Sequence, residues 1–115
     1  MPTGFSDAGS WTPTSSNSPA GLAVIGNRAY LADMLAARIH IFDYDGTQWM
    51  KNGEILQSGI GNLFDVEIYP TSPAKHLIFV SRKANSSTTR ELFVYFYDGT
   101  SVNFLTSLEA QFPTQ

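Results

Sequence analysis

The sequence predicts an all-β protein made of two repeated, four-stranded antiparallel units, and three observations lead there. The apolar runs are four to seven residues long and are separated by turn signals, a length and spacing of strands rather than helices. β-Branched and aromatic residues fill those runs, with eight Phe, five Tyr and two Trp in 115 residues, and such side chains suit a pleated sheet. The chain also repeats itself: Ile39-His40-Ile41-Phe42-Asp43-Tyr44-Asp45-Gly46-Thr47 lies over Leu92-Phe93-Val94-Tyr95-Phe96-Tyr97-Asp98-Gly99-Thr100, and self-similarity at a fixed spacing signals a repeat architecture.

Residues 1–19 are rich in Ser, Thr, Pro and Gly and read as an extended arm. Within the arm, "SDAGSW" (6–11) loosely echoes "DYDGTQW" (43–49), so it is expected to hold at most one edge strand. The first repeat, 20–61, runs "GLAVI" (21–25), "AYLA" (29–32), "RIHIFDY" (38–44) and a fourth strand opening at "QWM". "LADMLAARI" (31–39) has helical propensity, but nine residues between two strand signals read better as strand–loop–strand. The second repeat, 62–110, runs "LFDVEIY" (63–69), "HLIFV" (76–80), "ELFVYFY" (91–97) and "SVNFL" (101–105), with a tail at 111–115. Tyr30-Leu31-Ala32-Asp33 is placed over Ile78-Phe79-Val80-Ser81, which puts a five-residue insertion of the second repeat in "RKANSSTTRE". Each Asp-Gly joins the third strand of a unit to its fourth, since Gly accepts positive φ and Asp bonds its own turn.

Four-stranded antiparallel repeats of about 40–50 residues are the pattern of β-propeller blades. The first repeat resembles an NHL-type blade. The matching residues are Pro19, Gly21, Ala23 and Val24 in the first strand, and Tyr30, Ala32 and Asp33 in the second. In the third strand and its turn they are Arg38, Ile39, Ile41, Phe42, Asp45 and Gly46. The second repeat departs from that pattern, with Ser81 aligned to Asp33, a long loop after it, and Glu91 between Arg90 and the strand. The resemblance implies a sheet buried on both faces and a role in recognising protein or nucleic acid. "LFVYFY" (92–97) lacks polar alternation, as a doubly covered strand should. Two blades alone leave two apolar faces open, a strong drive to associate at about 25 cal/mol per Å2. The expected partner is therefore the chain itself, in a cyclic homo-oligomer, with a trimer completing six blades.

Composition narrows the chemistry. A net charge of −3 and a pI near 5.1 disfavour nucleic acid and anionic membranes. With no cysteine, thiolate metal sites, disulfides and a cysteine nucleophile are excluded, and a cytoplasmic setting is favoured slightly. The N-terminus has no basic-then-apolar leader, and no run approaches the ~18 apolar residues of a membrane span. No phosphate-binding glycine loop occurs, and no cofactor is expected.

Motif by motif, the plainer reading is preferred. "FDYDGT" resembles the first motif of haloacid-dehalogenase-type phosphatases, with Asp43 as nucleophile and Asp45 as acid/base. That chemistry needs a parallel α/β core, and the repeat keeps Asp98-Gly99-Thr100 while replacing Asp43 by Phe96. A calcium loop would need a late carboxylate, and Gln48-Trp49 follow instead. His40 and His76 read as ordinary strand residues, a metal pair being the alternative. Asn85-Ser86-Ser87 has only the form of a glycosylation sequon.

The expected ligand surface is the rim that holds the loops after the second and fourth strands of each unit. Its candidates are Asp33, Arg38, Asp65, Arg82, Lys83, Asn85 and Arg90, against the simpler reading of solvated loops with Arg38 paired to Asp33. Asp45, Gly46, Asp98 and Gly99 are structural turn residues on the opposite rim. Trp11 and Trp49 suit packing between sheets, or stacking on a sugar. The functional expectation is a non-catalytic module binding a protein or a glycan. The alternative is a metal-dependent lactonase or esterase of the kind found among six-bladed propellers, with Asp33, Asp65 and Glu67 as donors.

Overall fold

A computed structural model describes residues 8–11, 19–34, 38–56, 63–83 and 89–111. The strands are β1 (Pro19–Ile25), β2 (Arg28–Asp33), β3 (Arg38–Tyr44), β4 (Trp49–Leu56), β5 (Leu63–Ser72), β6 (Lys75–Lys83), β7 (Thr89–Tyr97) and β8 (Val102–Gln111). They form two four-stranded antiparallel sheets, β1-β2-β3-β4 and β5-β6-β7-β8, each in sequence order. The protein is all-β, as the sequence predicts, with two propeller-like blades. The "LADMLAARI" segment ends β2 at Asp33 and begins β3 at Arg38. The described arm residues, Ala8–Trp11, lie outside the strands.

The repeated turns are alike to the hydrogen bond. Asp45 Oδ1 accepts the amides of Thr47 (2.8 Å) and Gln48 (2.9 Å), and Asp98 Oδ1 accepts those of Thr100 (2.8 Å) and Ser101 (2.9 Å). Gly46 and Gly99 take φ of 100° and 99°, which side chains resist. A β-bulge lies between Ile41 and Phe42 in β3 pairing and between Val94 and Tyr95 in β7 pairing, equivalent positions of the repeat. The two prolines that stand within strands are both on edge strands: Pro19 in β1 and Pro70 in β5 stand at register shifts, where no ladder donor is lost.

The core lies between the sheets. Tyr30, Ala32, Ile39, Ile41 and Ile55 face Val66, Ile78, Val80, Phe93 and Tyr95, and the sheets meet along β1, β2 and β5. Register corrects one part of the sequence alignment. Phe42 pairs with Ala29 as Tyr95 pairs with Ile78, and Leu31 pairs with Leu22 as Val80 pairs with Val66. The equivalent of Ile78 is therefore Ala29 and not Tyr30, and that of Asp33 is Arg82 and not Ser81. Alignment by residue type slipped one position, and in a strand one position exchanges the faces.

The sheets therefore pack head to tail. Ile78, Val80, Phe93 and Tyr95 point into the core, whereas their equivalents Ala29, Leu31, His40 and Phe42 lie on the far side of the first sheet. That far face leaves Leu22 and Val24 62% and 56% exposed, and the far face of the second sheet leaves Tyr69 and Leu108 62% and 59% exposed.

Candidate functional site

A polar cluster gathers at the turn rim, where the two sheets meet. Arg28 opens β2 directly after the Gly26-Asn27 turn, and register sets it opposite Asp43 near the end of β3. Their pairing is bidentate: Arg28 Nε donates to Asp43 Oδ1 at 2.8 Å and a terminal guanidinium nitrogen to Oδ2 at 2.9 Å. Asn52, the residue left unpaired by the bulge, adds an Nδ2 donor to Asp43 Oδ2 at 2.6 Å, the kind of re-aimed side chain that bulges provide.

The guanidinium lies 4.3 Å from the centre of the Tyr97 ring and 5.8 Å from that of Tyr30. Tyr97 also packs on His76, with ring centroids 4.9 Å apart, and Tyr30 and His76 share a buried hydrogen bond of 2.6 Å. A cleft of about 290 Å3 opens over Arg28, Asp43, His76 and Tyr97, walled by Ile25, Asn27 and Pro73 among others.

Charge is balanced locally. The bond from Arg28 holds the Asp43 carboxyl below its usual range against the opposing effect of burial. Burial, then the Arg28 charge, pushes the His76 imidazole down, which favours its neutral form. Burial raises the Tyr30 phenol, with Arg28 acting against it. Asp43 is thus an ionised acceptor held by three hydrogen bonds from Arg28 and Asn52, placed to orient rather than to attack, with acceptor capacity to spare. Asp45 is occupied by its turn, and the antiparallel sheets supply no parallel α/β core for a phosphatase.

A second, apolar cleft of about 500 Å3 lies on the far face of the first sheet, lined by Leu22, Val24, Leu31, Phe42, Trp11 and Trp49. The arm forms its wall. The Trp49 amide donates to Ala8 O at 2.6 Å, and the Trp11 ring stands 4.6 Å from His40 and 5.8 Å from Phe42. Gly9 is required there: its φ is +119°, and an added Cβ would sit 2.5 Å from Trp49 O.

The rim candidates read from sequence are dispersed. Asp33 is buried, and its Oδ2 lies 2.8 Å from His40 Nε2; His40 Nδ1 is buried with no partner among the described residues. Arg38 reaches Glu54 at 2.6 Å, and Lys51 reaches the same carboxylate at 3.0 Å. Arg82 pairs with Glu91. Asp65 accepts the Val66 amide at 2.9 Å. Lys83 and Arg90 are register partners between β6 and β7, and Asn85 lies outside the described residues. Asp65 and Glu67 point away from the core on the second sheet, opposite to Asp33 on the first, and no acidic or histidine triplet suited to a metal occurs among the described residues. No helix of the described residues is long and apolar enough to cross a membrane.

Sequence reasoning missed Arg28, Tyr30, Asn52 and Tyr97 as site residues, and it set Asp43 and His76 aside. One signal was present: Arg28 and Asp43 are opposite charges equidistant from the middle of the β2–β3 hairpin. Comparison with protein-family models, with curated proteins and with solved structures found no match to this chain.

Proposed function

We propose that this chain is a non-catalytic binding module of β-propeller design, with NHL-like blades, that takes a neutral, hydroxyl-rich ligand of the glycan class in the turn-rim cleft. The observation behind this reading is the Arg28–Asp43–Asn52 group beside Tyr97 and His76. A neutralised bidentate pair offers fixed donors and acceptors without net charge, which suits sugar hydroxyls better than an anion, and the adjoining rings offer apolar contact. This moves the ligand surface from the loop rim to the turn rim. On the loop rim, Asp33, Arg38 and Arg82 are engaged within their own sheets, which leaves less to offer a partner protein. The lactonase alternative requires Asp33, Asp65 and Glu67 to converge, and in one chain they stand on opposite outer faces.

The test is a glycan array followed by titration calorimetry on the best binder, with wild type, Tyr97→Ala and Asn27→Ala. Binding by the wild type that falls at least tenfold in both variants, with unfolding midpoints near wild type, is the expected result. Wild-type protein that retains no glycan, or binding indifferent to both substitutions, would overturn the assignment.

A further inference from the structure

We propose that the two open sheet faces are complementary docking surfaces, so that the second sheet of one copy seats on the first sheet of another, head to tail. The basis is the packing within the chain. There, the first sheet presents Tyr30, Ile39, Ile41 and Ile55, and the second receives them with Val66, Ile78, Val80, Phe93 and Tyr95. By strand register the presenting residues correspond to Phe79, Leu92, Val94 and Leu108, which lie on the open face of the second sheet. The receiving residues correspond to Leu22, Ala29, Leu31, His40 and Phe42, which lie on the open face of the first. Each half of the buried interface therefore exists twice in the chain, once between the sheets and once on an outer face, where Leu22, Val24, Tyr69 and Leu108 are exposed and Ala29, His40 and Val94 are already covered.

Side-chain chemistry agrees with a second copy as the occupant. The polar rim residues of the used presenting face, Arg28 and Asp43, correspond to Leu77 and Phe96 in the free one, whereas Ala23 corresponds to Glu67, so the contact between copies needs no buried charge pair at the rim and keeps the exposed Asp65 and Glu67 carboxylates at its β5 margin. It is driven by apolar burial. The receiving face has room: Leu22 and Val24 are exposed beside the apolar cleft. The arm fits the same geometry. Trp11 covers His40 and Phe42 and leaves Leu22 and Val24 of β1 open, and β1 with β2 is the side of the first sheet that meets the second sheet within the chain. Because the two patches differ, the contact is heterologous, and repetition about an axis closes a ring. Three copies bring six sheets together.

Two single substitutions and their mixture test this. Val24→Glu blocks the receiving face and Leu108→Glu the presenting face; both positions are exposed in the single chain, so each variant is expected to fold. By light scattering coupled to gel filtration at micromolar concentration, wild type is expected as a closed oligomer and each variant alone as a monomer. The equimolar mixture is expected to form a 1:1 heterodimer, because one intact pair of faces remains between the variants. Leu22→Lys and Tyr69→Glu serve as a replacement pair should circular dichroism show loss of sheet. A monomeric wild type, or a mixture that stays monomeric, overturns the proposal; the latter would mark a like-with-like interface.

Discussion

The phenol of Tyr30 and the imidazole of His76 meet at 2.6 Å across the boundary between the two sheets, both buried. Tyr30 belongs to β2 and His76 to β6, so this bond ties one sheet to the other in an otherwise apolar core. It also fixes the floor of the turn-rim cleft, because His76 supports Tyr97 and Tyr97 supports the Arg28 guanidinium.

Tyr30→Phe keeps the ring and deletes the bond. It leaves a buried imidazole nitrogen without its partner, which costs about 1–3 kcal/mol. Urea unfolding followed by tryptophan fluorescence should show a lower midpoint with an unchanged slope. An unmoved midpoint would mean that the two groups do not bond in solution.

The same histidine makes stability depend on pH. Its folded value is depressed from 6.5 by burial and by Arg28, so the unfolded chain takes up a proton first as the solution is acidified. The His76 contribution is complete above its unfolded value and is lost as pH falls through the folded one. Asp43 acts in the same direction at lower pH, its depressed carboxyl stabilising the fold above 3.8 and ceasing to do so in acid. Unfolding free energy should fall as pH drops through and below 6.5, and His76→Gln should flatten that portion of the profile. An equally steep profile in the variant would assign the dependence elsewhere.

His40 and Asp33 form a buried pair on the far side of the first sheet. Replacing His40 by Ala removes one hydrogen-bond partner of the buried Asp33 side chain, and leaving a buried polar group short of a partner costs about 1–3 kcal/mol. The double variant His40→Leu, Asp33→Leu should recover much of that loss, since neither member of the pair is left behind. Chemical denaturation of the three proteins checks this; a double variant no better than His40→Ala would show that packing, not the lost hydrogen bond, sets the cost.

The fold was legible because its signals are local. Asp45-Gly46 and Asp98-Gly99 announce their own turns, and aromatic runs such as "LFVYFY" announce a buried strand. The site was less legible because its contacts depend on register. Arg28 meets Asp43 through a hairpin whose loop does not reveal its pairing, and Asn52 is aimed at them by a bulge. The pairing of Tyr30 with His76 depends on which faces of two sheets meet. Alignment by residue type set Asp33 over Ser81, one position off, and so hid the head-to-tail relation that Asp33 and Arg82 reveal.

The turns provide the sharpest test of the repeat itself. Gly46 and Gly99 hold φ near +100° in matching hydrogen-bond frames. Alanine at either position is strained by the backbone, at a cost of about 1–3 kcal/mol. At Gly46 nothing lies within 4 Å of the added Cβ, so the whole cost is conformational. At Gly99 the Cβ would stand 3.4 Å from Ala74 O, ordinary contact at its close limit. Gly46→Ala and Gly99→Ala should therefore destabilise the protein by similar amounts, with Gly99→Ala equal or slightly worse. The sites sit on different sheets without a shared partner, so the double variant should show the sum of the two losses. Thermal and urea unfolding of the three variants measures this. If one glycine tolerates alanine freely while the other does not, the two turns are not the same structure, and the repeat fails where its sequence match is strongest.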